Sequence, residues 1–127
     1  MKNETPTALW DFLPTACELA GIAPPPTDGV SLVPLLQGKA LAKREYLYWE
    51  LFDGGDKQAV RNGQWKAVRN GLKVGQPIPP MELYNLQKDP NEQQNVAGDN
   101  PEIVKQIEEI MRREHRPSRV FPLPVDK

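Results

Sequence analysis

Cysteine and histidine are nearly missing from this sequence, and two kinds of chemistry go with them. A single cysteine, Cys17, excludes an internal disulfide and any cysteine cluster for zinc. A single histidine, His115, has no second His or nearby Cys at metal-ligand spacing. No apolar run approaches the length that crosses a bilayer, and no charged n-region followed by an apolar h-region opens the chain, so no export signal is expected. Charge of one sign is also missing. Sixteen basic and 17 acidic side chains leave a formal net charge of −1, which makes no electrostatic case for nucleic acid or an anionic membrane. No P-loop, glycine-rich dinucleotide fingerprint or Ser-His-Asp order occurs. Asp53, Asp56 and Asp89 lack the alternating oxygen-ligand pattern of a calcium loop. The residues hold no complete catalytic apparatus.

What is present is concentrated in residues 46–69. Asn62-Gly63 sits between two strand-like runs, Ala59-Val60-Arg61 and Trp65-Lys66-Ala67-Val68. Asn and Gly tolerate positive φ best, so a type I′ hairpin turn at Asn62-Gly63 is expected, pairing Arg61 with Gln64, Val60 with Trp65 and Ala59 with Lys66. Tyr46–Leu51 is a further strand, leading through Asp53-Gly54-Gly55-Asp56 into the hairpin. Glu82-Leu83-Tyr84-Asn85-Leu86 alternates and adds a fourth.

Before the sheet, Leu9, Phe12, Leu13, Ala16, Leu19 and Ala20 recur at helical spacing, with Asp11 as the expected cap and Gly21 as the residue past the end. Cys17 points off the main stripe and reads as a small buried residue. A reactive thiol would need a basic neighbour, and Glu18 has the wrong sign. Pro24-Pro25-Pro26 is a stiff connector, Asp28-Gly29 a turn and Ser31–Leu36 a short helical turn. The stretch Asn70–Pro80, with its glycine and proline breaks, reads as loop. A last helix starts with Asn100 as N-cap and Pro101 as first residue, carries the stripe Ile103, Val104, Ile107, Ile110 and Met111, and gathers Arg112, Arg113 and His115 at its negative end. Helix-end electrostatics give His115 a structural reading.

Glu50, Lys57, Arg61, Lys66 and Arg69 are charges on and beside the hairpin. Their plain reading is a solvated sheet face. Their functional reading is a rim offering polar contacts to an anionic ligand, with Arg61 or Lys57 as charge-assisted donors and Gly54-Gly55 providing mobility. Trp49 and Trp65 suit packing better than a ligand platform.

The order of short motifs goes beyond composition. Asp11-Phe12-Leu13-Pro14-Thr15 with Glu18-Leu19-Ala20-Gly21, then Asp28-Gly29-Val30-Ser31-Leu32-Val33-Pro34-Leu35-Leu36, resemble consecutive blocks of arylsulfatase-type (type I, formylglycine-dependent) sulfatases. Ala59-Val60-Arg61, Gly63, Trp65-Lys66, Glu82-Leu83-Tyr84-Asn85-Leu86, Asp89-Pro90, Glu92 and Asn95-Val96-Ala97 follow in the same order. The resemblance covers roughly residues 8–111. It implies the C-terminal subdomain of a sulfatase in the alkaline-phosphatase-like superfamily.

On that resemblance the fold is expected to be α+β: a small, about four-stranded antiparallel sheet covered by a C-terminal helix. Residues 1–38 would be a helical segment and Pro-rich connector closing the α/β catalytic domain, and 39–127 the subdomain itself. Calcium, formylglycine and the catalytic lysine and histidines are implied for a catalytic part preceding these residues, so Met1 is not expected to be the enzyme's own beginning. Cys17, followed by Glu18-Leu19-Ala20-Gly21, does not match the C/S-x-P-x-R motif from which formylglycine is made. No catalytic residue, metal ligand or cofactor is therefore expected in this chain. It would give structural support and, at the loop from Phe52 to Lys57, part of a substrate rim, with Glu50, Lys57, Gln58 and Arg61 as candidate contacts. The expected partners are the N-terminal catalytic domain and a second copy through residues 8–36, with neither nucleic acid nor membrane. The competing class is a free-standing protein-interaction module.

Overall fold

The computed structural model describes residues 3–41, 44–52 and 55–126, which divide into two units, 1–44 and 45–127.

In the first unit a 3-10 turn, Leu9–Asp11, runs into helix α1, Phe12–Leu19. Gly21, at φ +72°, ends the helix as expected: Ile22 N–H reaches back to the Cys17 carbonyl (3.0 Å) and Gly21 N–H to that of Glu18 (3.1 Å). Asp11 is not the side-chain cap that its position suggests. Its carboxylate turns away from α1 and accepts from the backbone N–H of Ala8 (2.8 Å) and Val30 (3.0 Å), fully buried, while Arg44 grips both its oxygens. Thr15 Oγ1 donates to the Asp11 carbonyl (2.6 Å) and accepts from Leu32 N–H (2.9 Å). The two sulfatase-like blocks are thus tied together by their own polar side chains. Gly29 is needed there, because a Cβ at that position would lie 2.1 Å from the Trp10 carbonyl oxygen. Helix α2, Val33–Leu36, follows. Cys17 is buried and free.

The second unit is a four-stranded antiparallel meander in the order β1 (Leu47–Leu51), β2 (Asp56–Asn62), β3 (Trp65–Leu72), β4 (Glu82–Asn85), with α3 (Pro101–Glu114) packed on one face. Val60, Ala67, Met81 and Leu83 from the sheet side meet Ile107, Ile110 and Met111 of α3 to form the core. The period of two on each strand and of 3.6 on the helix make this possible from one stripe on each.

Two details of the sheet depart from expectation. The hairpin pairs Asn62 with Trp65, Arg61 with Lys66 and Val60 with Ala67, so the turn residues are Gly63-Gln64 rather than Asn62-Gly63. Only Gly63 has positive φ, +56°, which is the pattern of a turn with Gly at its first central position. Moving the turn by one residue moves the pairing by two, so Val60 and Trp65 stay on the helix side, where Trp65 packs half-buried at the core's edge. In addition, β3 does not stop at Asn70. A bulge, with Gly71 at φ +72°, carries it on to Leu72, which is wholly buried.

At the start of α3, Asn100 occupies the cap position without capping. Its Nδ2 donates backward to the Val96 carbonyl (2.9 Å). Nearby, Asn95 and Val96 secure β4: Asn95 Oδ1 accepts from Leu83 N–H (3.0 Å) and Val96 N–H donates to the Leu83 carbonyl (2.9 Å). The outer edge of the sheet is partly satisfied in this way.

Candidate functional site at the end of the first strand

The four candidate rim residues share one strand pair but divide between two faces. Glu50 lies opposite Gln58, Leu51 opposite Lys57 and Leu47 opposite Arg61. Glu50 and Gln58 belong to the face carrying α3. Lys57 and Arg61 belong to the other, four residues or about 13 Å apart along β2. Asp53 and Gly54, within the expected rim loop, lie outside the described residues.

On the helix side, Glu50 and Gln58 enter a buried polar chain. Gln58 is only 1% exposed. Its Nε2 donates to the Tyr48 hydroxyl (2.8 Å), which donates to Glu50 Oε1. The same Glu50 oxygen faces His115 Nδ1 at 2.6 Å, and His115 Nε2 faces Asp126 Oδ1. Burial and the bond to Glu50 push the Tyr48 phenol far above its ordinary value, keeping it a donor. Burial pulls His115 down, but the bonds to Asp126 and Glu50 outweigh it and leave its pKa raised. His115 is therefore not a bystander among arginines at a helix end: its ring spans two carboxylates from opposite ends of the unit. Spacing in the sequence could not reveal this, because the partners lie 65 and 11 residues away.

On the opposite face, Trp49, Leu51, Ala59, Val68 and Tyr84 line a shallow depression of about 530 Å³, bordered by Lys57, Lys66, Asn70, Glu82 and Glu92. Most of these polar groups are paired. Lys66 reaches both oxygens of Glu92 (2.6 and 2.7 Å), while Glu82 accepts from Asn70 (3.0 Å) and from the Tyr84 hydroxyl, whose pKa is pushed up to about 12. Arg69, on the helix side, is buried and paired with Glu108 at 2.7 Å. Lys66 and Arg69 thus do not belong to a freely solvated face. Arg61 Nε is buried with no hydrogen-bond partner, and so is Gln58 Oε1.

Among the described residues no three His, Cys, Asp or Glu side chains converge as a metal site requires. The donor set does not fit calcium, and Cys17 is not set in a formylglycine motif.

With that geometry, comparison with known proteins decides the family. The model for the C-terminal region of N-sulphoglucosamine sulphohydrolase matches residues 2–117. The chain belongs to this family of sulfatase C-terminal domains. Among its relatives, arylsulfatase K of Mus musculus is 33% identical over 116 residues, covering 83% of this chain and 20% of the relative. Choline-sulfatase of Rhizobium meliloti is 37% identical over 102 residues, 76% of this chain and 19% of the relative. The phosphonate monoester hydrolase of Agrobacterium radiobacter superposes with a TM-score of 0.61 at 27% identity, over 80% of this chain and 23% of that one. The chain thus spans about a fifth of the curated relatives it matches. The sheet-and-helix unit is the fold of sulfatase C-terminal subdomains in the alkaline-phosphatase-like superfamily.

Proposed function

We propose that this sulfatase C-terminal domain supports the catalytic domain of a sulfuric ester hydrolase and lends the outer face of β2, with the end of β1, to the rim of its substrate cleft. The observation that carries the supporting role is the apolar stripe of the first unit. Leu9 is 89% and Phe12 72% exposed, with Leu13 and Leu19 exposed beside them. Side chains of this size left wet forfeit about 1.5–3 kcal/mol each, so the stripe suits a cover. The catalytic α/β domain is that cover, and calcium and formylglycine chemistry belongs to it. Where the catalytic domain is missing, a second copy takes its place through residues 8–36.

In the rim, Lys57 and Arg61 are the outward contacts to a sulfated substrate. Arg61 brings a guanidinium whose terminal N–H groups suit charge-assisted bonds with an anionic oxygen, while its Nε is buried. Glu50 and Gln58 act from the other face, holding the strand pair that presents them. The test is steady-state kinetics in the complete sulfatase. Lys57→Ala and Arg61→Ala should each raise KM several-fold with kcat nearly unchanged. An unchanged KM in both would remove them from the rim.

A further inference from the structure

The segment after α3 returns to β1, is held there at two places, and closes on itself at its end. His115, whose side chain is 8% exposed, stands between Glu50 of β1 and Asp126 of the closing 3-10 turn, Pro124–Asp126. Phe121 packs against Phe52, just beyond β1, with ring centroids 5.2 Å apart. Leu123 is 1% exposed, and its N–H donates to Asp126 Oδ2 (2.8 Å). One carboxylate of Asp126 thus closes its own turn with one oxygen and meets His115 with the other.

We propose that His115 is a positioning residue: with Asp126 it latches residues 115–126 across the end of β1 and so fixes Glu50 and Phe52 at the edge assigned to the substrate rim. The inference rests on that rim reading for its functional meaning, but the latch itself is a property of this chain. The chemistry is in the count of donors. Both ring nitrogens face carboxylate oxygens, which only accept, and only the imidazolium offers an N–H to each. A neutral ring supplies one N–H and sets a lone pair against the other carboxylate. The groups facing the ring are Glu50 from β1, with the Tyr48 hydroxyl on the same oxygen, and Asp126 from the closing turn. On its own helix, Arg113 and Glu114 are engaged with Tyr46 instead.

The latch is tested by proton NMR of the 127-residue chain across pH, following the His115 ring, the Phe52 and Phe121 rings and the Trp49 indole. The Phe52 and Phe121 signals should move with the midpoint of the His115 titration. Asp126→Asn should lower that midpoint and weaken the Phe52–Phe121 cross-peak, while the core signals of Val60, Leu83 and Ile107 stay in place. His115→Gln, which can donate only from one end, should abolish the pH-dependent movement and keep the fold. Phenylalanine signals that ignore the His115 midpoint, or an Asp126→Asn chain with an unaltered cross-peak, overturn the latch. If the latch holds yet His115→Gln leaves the KM of the complete sulfatase unchanged, the rim reading alone fails.

Discussion

At the scale of single residues, the side chains that matter most are polar ones used against their positional stereotype. Asp11 sits where a helix cap belongs but holds two segments and an arginine. Burial raises its pKa, but the bond from Arg44 and the backbone bonds from Val30 and Ala8 outweigh this and leave it lowered. A carboxyl held below its unfolded value stabilises above the unfolded pKa of about 3.8 and loses that contribution as pH falls through the folded one. Asp11→Ala, which leaves buried N–H groups and Arg44 without their partner, should cost about 2–4 kcal/mol in urea denaturation. His115 works in the opposite direction. Its raised pKa makes its stabilisation complete below about pH 6.5 and lost as pH rises through the folded value. The chain should therefore melt lower at pH 8.5 than at pH 6, and His115→Gln should flatten that difference. These roles were not legible from spacing. Asp11 and Arg44 are 33 residues apart, and neither periodicity nor a cap rule reports a contact of that range.

At the scale of elements, periodicity was a good guide and turn chemistry a weaker one. The α3 stripe was readable because Ile107, Ile110 and Met111 repeat at helical spacing and have no competing role. All three are buried, and Ile107→Ala should cost about 2–5 kcal/mol. The hairpin was readable as a hairpin but not in register. Asn-Gly favours a turn with two positive φ values, whereas the strands close on Gly63-Gln64 with one. Pairing Val60 with Ala67 and Ala67 with Leu83 fills the core beneath α3, and that tertiary demand overrode the local preference. The two turns make different predictions. Asn62→Ala should be nearly neutral in a thermal melt, while Gly63→Ala should cost about 1–2 kcal/mol from φ strain alone, since nothing lies within 4 Å of an added Cβ. Equal costs at the two positions would favour the type I′ turn. The extension of β3 through Gly71 to Leu72 was hidden because a glycine inside a strand reads as a break unless the bulge is known.

At the scale of the whole molecule, the order of family motifs carried more than any one of them, and the structure gives part of the reason. Asp11 and Thr15 of the first block bind Val30 and Leu32 of the second. Lys66 pairs with Glu92, and Asn95 secures Leu83. The candidate rim was less legible, because alternation along β2 puts Gln58 inward and Lys57 and Arg61 outward, a division that four neighbouring polar letters do not show. The exposed stripe of α1 should make the isolated chain self-associate. Light scattering at high micromolar concentration should give a dimer or larger, and Phe12→Ser with Leu19→Ser should return it toward a monomer.

We propose that this domain supports and borders a sulfatase active site and leaves catalysis to the catalytic portion of the enzyme. Calcium-supplemented turnover of an aryl sulfate decides this, measured for the formylglycine-bearing catalytic portion of the same enzyme, for this chain, and for the two combined. The chain alone should be silent, and its addition should raise turnover by the catalytic portion. Turnover by the pure chain that persists in Cys17→Ala would mean that this domain carries catalytic groups of its own.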